Sequence, residues 1–317
     1  MSGRRAACLA ALACLAMTAA AAPSAAAGGQ GIALGTYIPG VAWHPGQIDR
    51  YSRLMGRVPA IVSDYKQWDV PAFERRELMA IWSRGSVPMI TWEPMSYHGR
   101  SYPLRAIARG RYDGYVRRSA RAARDWGRPI LLRFAHEMNG DWYPWGVRGN
   151  SPHDYKAAWR HVVRVFRRAG ADNVQWIWAP NVDQGGDHPF AGLFPGNRWV
   201  DWVGLDGFNW GYDGSFYSFR RIFGHSYRVL GRLSRRPVMI AETGAGAAGK
   251  ARWISQALRW QMPRFGRIRA LVWFNYNANG VNLRFDTPAP ALRAFRAAAR
   301  EPRYALSREA FLAPLLP

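Results

Sequence analysis

Eight short apolar runs recur along this 317-residue chain, at 32–38, 58–63, 87–92, 129–135, 174–179, 199–205, 237–241 and 268–274. Unbroken apolar runs, as opposed to alternating ones, mark parallel strands buried on both faces. Most of the stretches between them repeat their apolar residues at helical spacing, most clearly at 71–84, 112–126 and 152–168. The last of these has Ser151 as N-cap and Pro152 in its first turn, and it closes at Gly170. Eight strand–helix units in one domain of the α/β class predict a (β/α)8 TIM barrel spanning 28–317. A doubly wound open sheet is the alternative. It would place a glycine-rich phosphate turn after its first strand, where Thr36-Tyr37-Ile38-Pro39-Gly40 stands instead. The tail after about Arg300 reads as a surface extension.

The first 27 residues read as a secretory signal. Arg4 and Arg5 precede an apolar run from Ala6 to about Ala22, and Ala25-Ala26-Ala27 offers a cleavage site of small residues. The run is too short for a spanning helix. A secreted protein, extracellular or periplasmic after cleavage near Ala27, is therefore expected. Both cysteines, Cys8 and Cys14, lie in that leader, which leaves no disulfide or thiolate metal site in the folded domain. The seven histidines show no metal-ligand spacing, so neither a metal nor any other cofactor is expected.

Charge is lopsided: 44 basic against 21 acidic residues, net +23, and only Lys66, Lys156 and Lys250 are lysine. Such a charge suits electrostatic adhesion to anionic envelope polymers, or an acidic polysaccharide as substrate. Nucleic acid is not the expected partner, because no basic run falls inside a recognisable nucleic-acid module. Nothing in the sequence calls for a second subunit, and a monomer is expected.

Two runs end on a glutamate and then break at glycine. One is Arg133-Phe134-Ala135-His136-Glu137-Met138-Asn139-Gly140, the other Val238-Met239-Ile240-Ala241-Glu242-Thr243-Gly244. A strand end has no need of a carboxylate, and burying one unpaired is costly. In a barrel the C-terminal strand ends form the active site, and a pair of carboxyl groups there is what glycoside hydrolysis requires. The other strand ends are also polar or aromatic: Trp92 and Glu93, Asn181, Asp206 and Asn209, Trp273, Asn275 and Tyr276. Strand alternation puts Arg133 and Glu137 on one face, with Phe134 and His136 on the other. An arginine beneath the carboxyl groups would keep one of them ionised. Trp92, Trp142, Trp145, Trp210 and Trp273 fall at strand ends or in the following loops, where flat rings suit the apolar faces of pyranoses.

The string His136-Glu137-Met138-Asn139-Gly140, followed by Trp142-Tyr143-Pro144-Trp145-Gly146, resembles the acid/base signature of glycoside hydrolase family 26. The resemblance runs from about 35 to 285. It implies a retaining endo-glycosidase, in most members a β-1,4-mannanase, with Glu137 as acid/base and Glu242 as nucleophile. It also implies that His136 stands where many related barrels have asparagine, that Trp142 matches the tryptophan five residues after the acid, and that Trp273 floors the subsite of the reacting sugar. One departure stands out. The family's sixth strand carries Asp-x-Tyr, whose tyrosine bonds the nucleophile, whereas here Asp206-Gly207-Phe208 lacks the hydroxyl. Tyr212 or Asn209 could replace it. The expectation is instead that Glu242 relies on Arg133 and other donors. Trp92-Glu93-Pro94 also differs from the histidine-bearing loops of mannanases. Two further readings follow: a β-glucanase or hydrolase of an anionic exopolysaccharide, and a catalytically silent carbohydrate-binding barrel.

Overall fold

The computed structural model describes residues 31–41, 43–183, 186–212, 214–246 and 249–313. The signal segment and its cleavage site lie outside the described residues.

Eight parallel strands close into one barrel in chain order: β1 (Ala33–Tyr37), β2 (Ile61–Gln67), β3 (Val87–Glu93), β4 (Ile130–Phe134), β5 (Val174–Trp178), β6 (Trp202–Asn209), β7 (Val238–Ala245) and β8 (Ile268–Phe274). Helices α1 (Gly46–Met55), α2 (Arg75–Trp82), α3 (Leu104–Ala108), α4 (Asp113–Trp126), α5 (Pro152–Arg168), α6 (Phe219–Leu233), α7 (Lys250–Ser255), α8 (Ala289–Ala299) and α9 (Arg308–Leu312) surround it. Among the described residues no α-helix lies between β5 and β6; two single 3₁₀ turns, Ala191–Leu193 and Asn197–Trp199, cover that side. A two-stranded ribbon, Asn277–Ala278 with Val281–Asn282, stands over the end of β8. Among the described residues no helix is long and apolar enough to cross a membrane.

The core has two parts, and strand parity divides them. Ile61, Val87, Met89, Leu131, Ile177, Met239, Ala270 and Val272 fill the barrel interior. Their neighbours Val62, Ile90, Leu132, Trp178, Ile240 and Leu271 face outward to the helices. α5 shows how the sequence fixes a helix. Ser151 accepts from the Asp154 amide while Asp154 reaches back to the Ser151 amide, a capping box that satisfies two donors at once. The apolar stripe of Tyr155, Ala158, Trp159, Val162 and Phe166 is then buried against the strands.

Two expectations change. The second run was read to stop at Ser63, because Asp64-Tyr65-Lys66-Gln67 is polar. The strand instead continues through Gln67, with Lys66 satisfied by Asp64 at 3.3 Å and Glu77 at 2.6 Å. Nor is the tail a surface extension. Phe311 and Leu312 of α9 are buried in the same cluster as the barrel interior, and the Phe311 ring packs 5.5 Å from Trp202. Arg308 lies over the Trp82 ring at 3.9 Å. The tail thus plugs the N-terminal end of the barrel.

Candidate active site

The mouth is built around Arg133, which strand alternation points inward from β4. It is fully buried. Its guanidinium donates to Thr91 Oγ1 (2.8 Å), to Asp206 Oδ2 (2.7 Å) and to Glu242 Oε1. Burial works against the Arg133 charge, but Asp206 and Glu242 outweigh it and raise its pKa well above the usual range. Strands β3, β6 and β7 are thereby joined to β4 through one cation.

Simple alternation would not bring Glu242 to this cation. Met239 and Ala241 point into the barrel, so Glu242 should face out with Ile240. A bulge intervenes. β6 and β7 pair Leu205 with Ile240 but Asp206 with Glu242, so an extra residue of β7 turns Glu242 into the mouth. There it accepts a second hydrogen bond, from the Tyr65 hydroxyl of β2. Tyr65 in turn accepts from Arg133 Nη2 at 3.2 Å. Sequence reasoning missed Tyr65, because the polar end of β2 gave no strand signal.

Glu137 reaches the mouth by a different route. Ala135 and Glu137 both have positive φ, 44° and 48°, in the left-handed region that costs non-glycine residues energy. The alternation expected along 133–137 is therefore lost after Phe134. Phe134 does face outward, packing near Trp68 and Trp159. His136 does not follow it: its ring packs against Tyr143 at 4.8 Å and Tyr65 at 5.9 Å. Burial, aided by the Arg133 charge, pushes this imidazole well below its usual range and keeps it neutral.

The Glu137 carboxyl accepts Trp142 Nε1–H at 2.8 Å and Asn181 Nδ2–H at 2.7 Å. Asn139 clamps the Asn181 backbone from both sides, at 2.9 Å each way. Gly140 is needed here, because a Cβ would collide with the Trp142 ring that lies across it. Burial first, and then the Glu242 charge, push the Glu137 carboxyl up to about 7. The two glutamates thus meet opposite surroundings. Glu242 lies against a fixed cation and a phenol. Glu137 sits in a dry pocket that favours a retained proton. A third carboxyl, Glu93 at the end of β3, is also pushed up to about 7 by burial, and Gln67 reaches it at 3.4 Å.

A cleft of about 790 Å³ opens above the pair, lined by Glu137, Trp142, Tyr143, Asn181, Phe208, Trp210, Tyr212, Glu242 and Phe274, among others. Asp187, His188 and Asn279 also line it and were not anticipated. Trp142 is 46% exposed and lines the cleft. Trp210 and Tyr212 stack in parallel at 5.5 Å. Tyr212 is 63% exposed, and its ring goes to Trp210, while the hydroxyl at Glu242 comes from Tyr65. Asn209 Oδ1 is likewise committed elsewhere, to the Tyr217 amide. Phe208 packs edge-on against Phe274 at 5.7 Å.

Three expected substrate-facing aromatics are elsewhere. Trp92 is fully buried on the helix side of β3, tilted against Trp68 and near Tyr115, whose hydroxyl takes its N–H at 3.2 Å. Trp145 lies under Tyr143, stacked at 4.4 Å, with its N–H given to the His136 carbonyl. Trp273 is 0% exposed and packs outward on Trp253 and Phe295. The next residue on β8, Phe274, has inward parity and lines the cleft. Among the described residues, no three His, Cys, Asp or Glu side chains are grouped to hold a metal ion.

Fold and site together define a (β/α)8 barrel of the two-carboxylate type, with one glutamate at the end of strand four and one on strand seven. Comparison with known proteins gives the family. Residues 110–238 match the profile of glycosyl hydrolase family 26, and the chain belongs to that family. It is 34% identical over 280 residues to Endoglucanase H of Acetivibrio thermocellus, covering 84% of this chain and 30% of that protein. A mannan endo-1,4-β-mannosidase of Bacillus subtilis is 32% identical over 129 residues, 37% of this chain and 31% of that protein. The chain spans about a third of the length of these relatives. Among solved structures, an endo-β-1,4-mannanase of Cellulomonas fimi superposes with a TM-score of 0.69 at 20% identity, over 89% of this chain and 74% of that one. The catalytic domain of a family 26 endo-β-1,4-mannanase from Bacillus sp. JAMB-750 gives 0.70 at 16% identity, covering 88% of each. These likenesses establish the fold.

Proposed function

We propose that this protein is a retaining endo-glycosidase acting on β-linked polysaccharide, with β-1,4-mannan as the first substrate to test. The observation that carries the reading is the unequal pair of glutamates. One is bound to a buried guanidinium, and the other is dry enough to hold its proton near neutrality.

In the first step a Glu242 oxygen bonds to the anomeric carbon as the glycosidic C–O bond breaks, and the departing oxygen takes the Glu137 proton. In the second, water attacks the same carbon, Glu137 takes its proton, and the ester to Glu242 breaks. Arg133 and Tyr65 both bind Glu242 Oε1 and hold the attacking carboxylate in place, which lowers the reorganisation needed at the transition state. The aromatic walls, Trp142, Trp210 and Phe274, offer flat faces to the sugar rings.

A β-glucan is the second reading, supported by the similarity to Endoglucanase H over 84% of this chain, where the mannosidase match covers 37%. Export through the N-terminal leader completes the proposal, and sequencing the N-terminus of secreted protein tests it. The catalytic test is a glycan panel of mannan, mixed-linkage β-glucan and β-1,3-xylan, read by reducing ends and by NMR of the newly formed anomer. New reducing ends of retained configuration are expected. Inverted product would remove Glu242 as nucleophile, and retention of glycan without turnover would make this a binding barrel.

A further inference from the structure

Away from the cleft, one sector of the barrel wall is almost purely cationic. From Gly214 to Phe285 the sequence has thirteen basic residues and one acid, and that acid is Glu242. A groove of about 250 Å³ runs in this sector between α6 and the segment that follows α7. Arg220, Arg228, Arg264, Gln261, Tyr227 and Gly224 line it. The ion pairs of the sector, Arg259 with Glu301 and Arg284 with Asp286, use other arginines.

Three details of this groove work against stability. Arg220 and Arg221 occupy the first turn of α6 with no acid beside them, where the helix end is itself positive. Gly224 interrupts the same helix, at a cost of roughly 1 kcal/mol relative to alanine. A Cβ there would meet only Arg228 Nη1 at 3.7 Å and Arg220 Cγ at 3.8 Å, an ordinary fit, so packing does not demand glycine. Finally, α7 runs on into a π-helical turn, Gln256–Gln261, of the kind that collects at functional sites. That turn carries Trp260, 59% exposed, which stands outside the groove's lining with Arg259 5.7 Å over its ring. Trp260 immediately precedes Gln261, whose side chain accepts the Arg220 amide at 2.9 Å, and it lies one turn before Arg264.

We propose that this groove is a second glycan-binding site, remote from the catalytic mouth, which takes an acidic polysaccharide: Trp260 stacks on a sugar face while Arg220, Arg228 and Arg264 bind its carboxylates. Arginine forks match carboxylates two bonds at a time, and an open indole is a platform for a pyranose ring. A polyphosphate would use the arginines and have no use for Trp260.

The test titrates the whole protein with an alginate oligosaccharide and with inorganic polyphosphate, in parallel with Trp260→Ala and Arg228→Glu. Alginate binding should weaken about tenfold in each variant, the loss typical of one charge-assisted or stacking contact, and should weaken further as salt rises. Turnover of a short neutral substrate, which monitors folding and the distant cleft, should not change. Polyphosphate affinity should fall only with Arg228→Glu. Absence of alginate binding, alginate binding that neither variant alters, or tighter binding of polyphosphate with Trp260→Ala neutral for both ligands would overturn the proposal.

Discussion

Removing one oxygen atom probes the nucleophile's support directly. Tyr65→Phe deletes the hydroxyl that donates to Glu242 and accepts from Arg133, while the ring keeps its contacts with Tyr37 and Phe274. Arg133 still reaches Glu242, Asp206 and Thr91, so the cation stays in place and the fold should be unaffected. A hydrogen bond to a charged group contributes about 1.5–3 kcal/mol. If it is present while Glu242 attacks, its loss slows kcat by about ten- to a hundredfold, at 1.4 kcal/mol per factor of ten. KM should change little, because Tyr65 supports the carboxylate and not the sugar. The assay is steady-state hydrolysis from pH 4 to 9, with thermal unfolding as a control. Phe208 lines the same cleft as Glu242, so Phe208→Tyr in the Tyr65→Phe background should recover part of the rate. A Tyr65→Phe enzyme with kcat within twofold of the parent would refute the role.

The role split predicts that Glu242→Ala abolishes turnover on every substrate. Glu137→Ala should spare activated aryl glycosides and respond to added azide; equal loss on both with no azide effect contradicts it. Glu137 acts protonated, so activity should fall as pH rises through about 7. Trp142→Phe removes a donor that favours the ionised form, so the basic limb should move to higher pH, and a downward move would count against the assignment. Glu93 is raised from 4.5 to about 7 by folding, so the folded state holds a proton that the unfolded chain has released, and stability falls as pH climbs through that window. Glu93→Gln should relieve up to ~3 kcal/mol of this above pH 7, seen as a Tm gain of a few degrees at pH 8 and none at pH 4. On β8, Phe274→Ala should raise KM, while Trp273→Ala should cost about 3–5 kcal/mol of stability and leave KM unchanged; the reverse pattern would restore Trp273 to the cleft.

Much of this was legible in the sequence because burial dictates it. All eight strands were visible as apolar runs, and the inward parity of Arg133 followed from alternation. What escaped lies where alternation or polarity misleads. Tyr65 was hidden because Lys66 and Asp64 flank it; these two pair with each other, and Lys66 also pairs with Glu77 on α2, a tertiary fact. Glu242 points inward only through a bulge, and Glu137 only through two left-handed residues, neither of which a period-two pattern encodes. Trp273 drew notice as a tryptophan at a strand end, but parity favoured Phe274. The hydroxyl missing at Phe208 was readable from the motif, and so was the expectation that Arg133 and other donors would serve instead. Which donor it was depended on barrel closure bringing β2 opposite β7.

The plug formed by Phe311 and Leu312 ties completion of the barrel to a segment that follows all eight strands. During synthesis all eight strands can emerge before Phe311 and Leu312, yet the interior layer around Trp202 stays open to water until those two side chains arrive. The far end of the barrel is therefore sealed last. A chain cut before Ser307 would carry both glutamates of the mouth and still present an apolar opening to chaperones and proteases, so quality control can sense α9 without any contact with the chemistry.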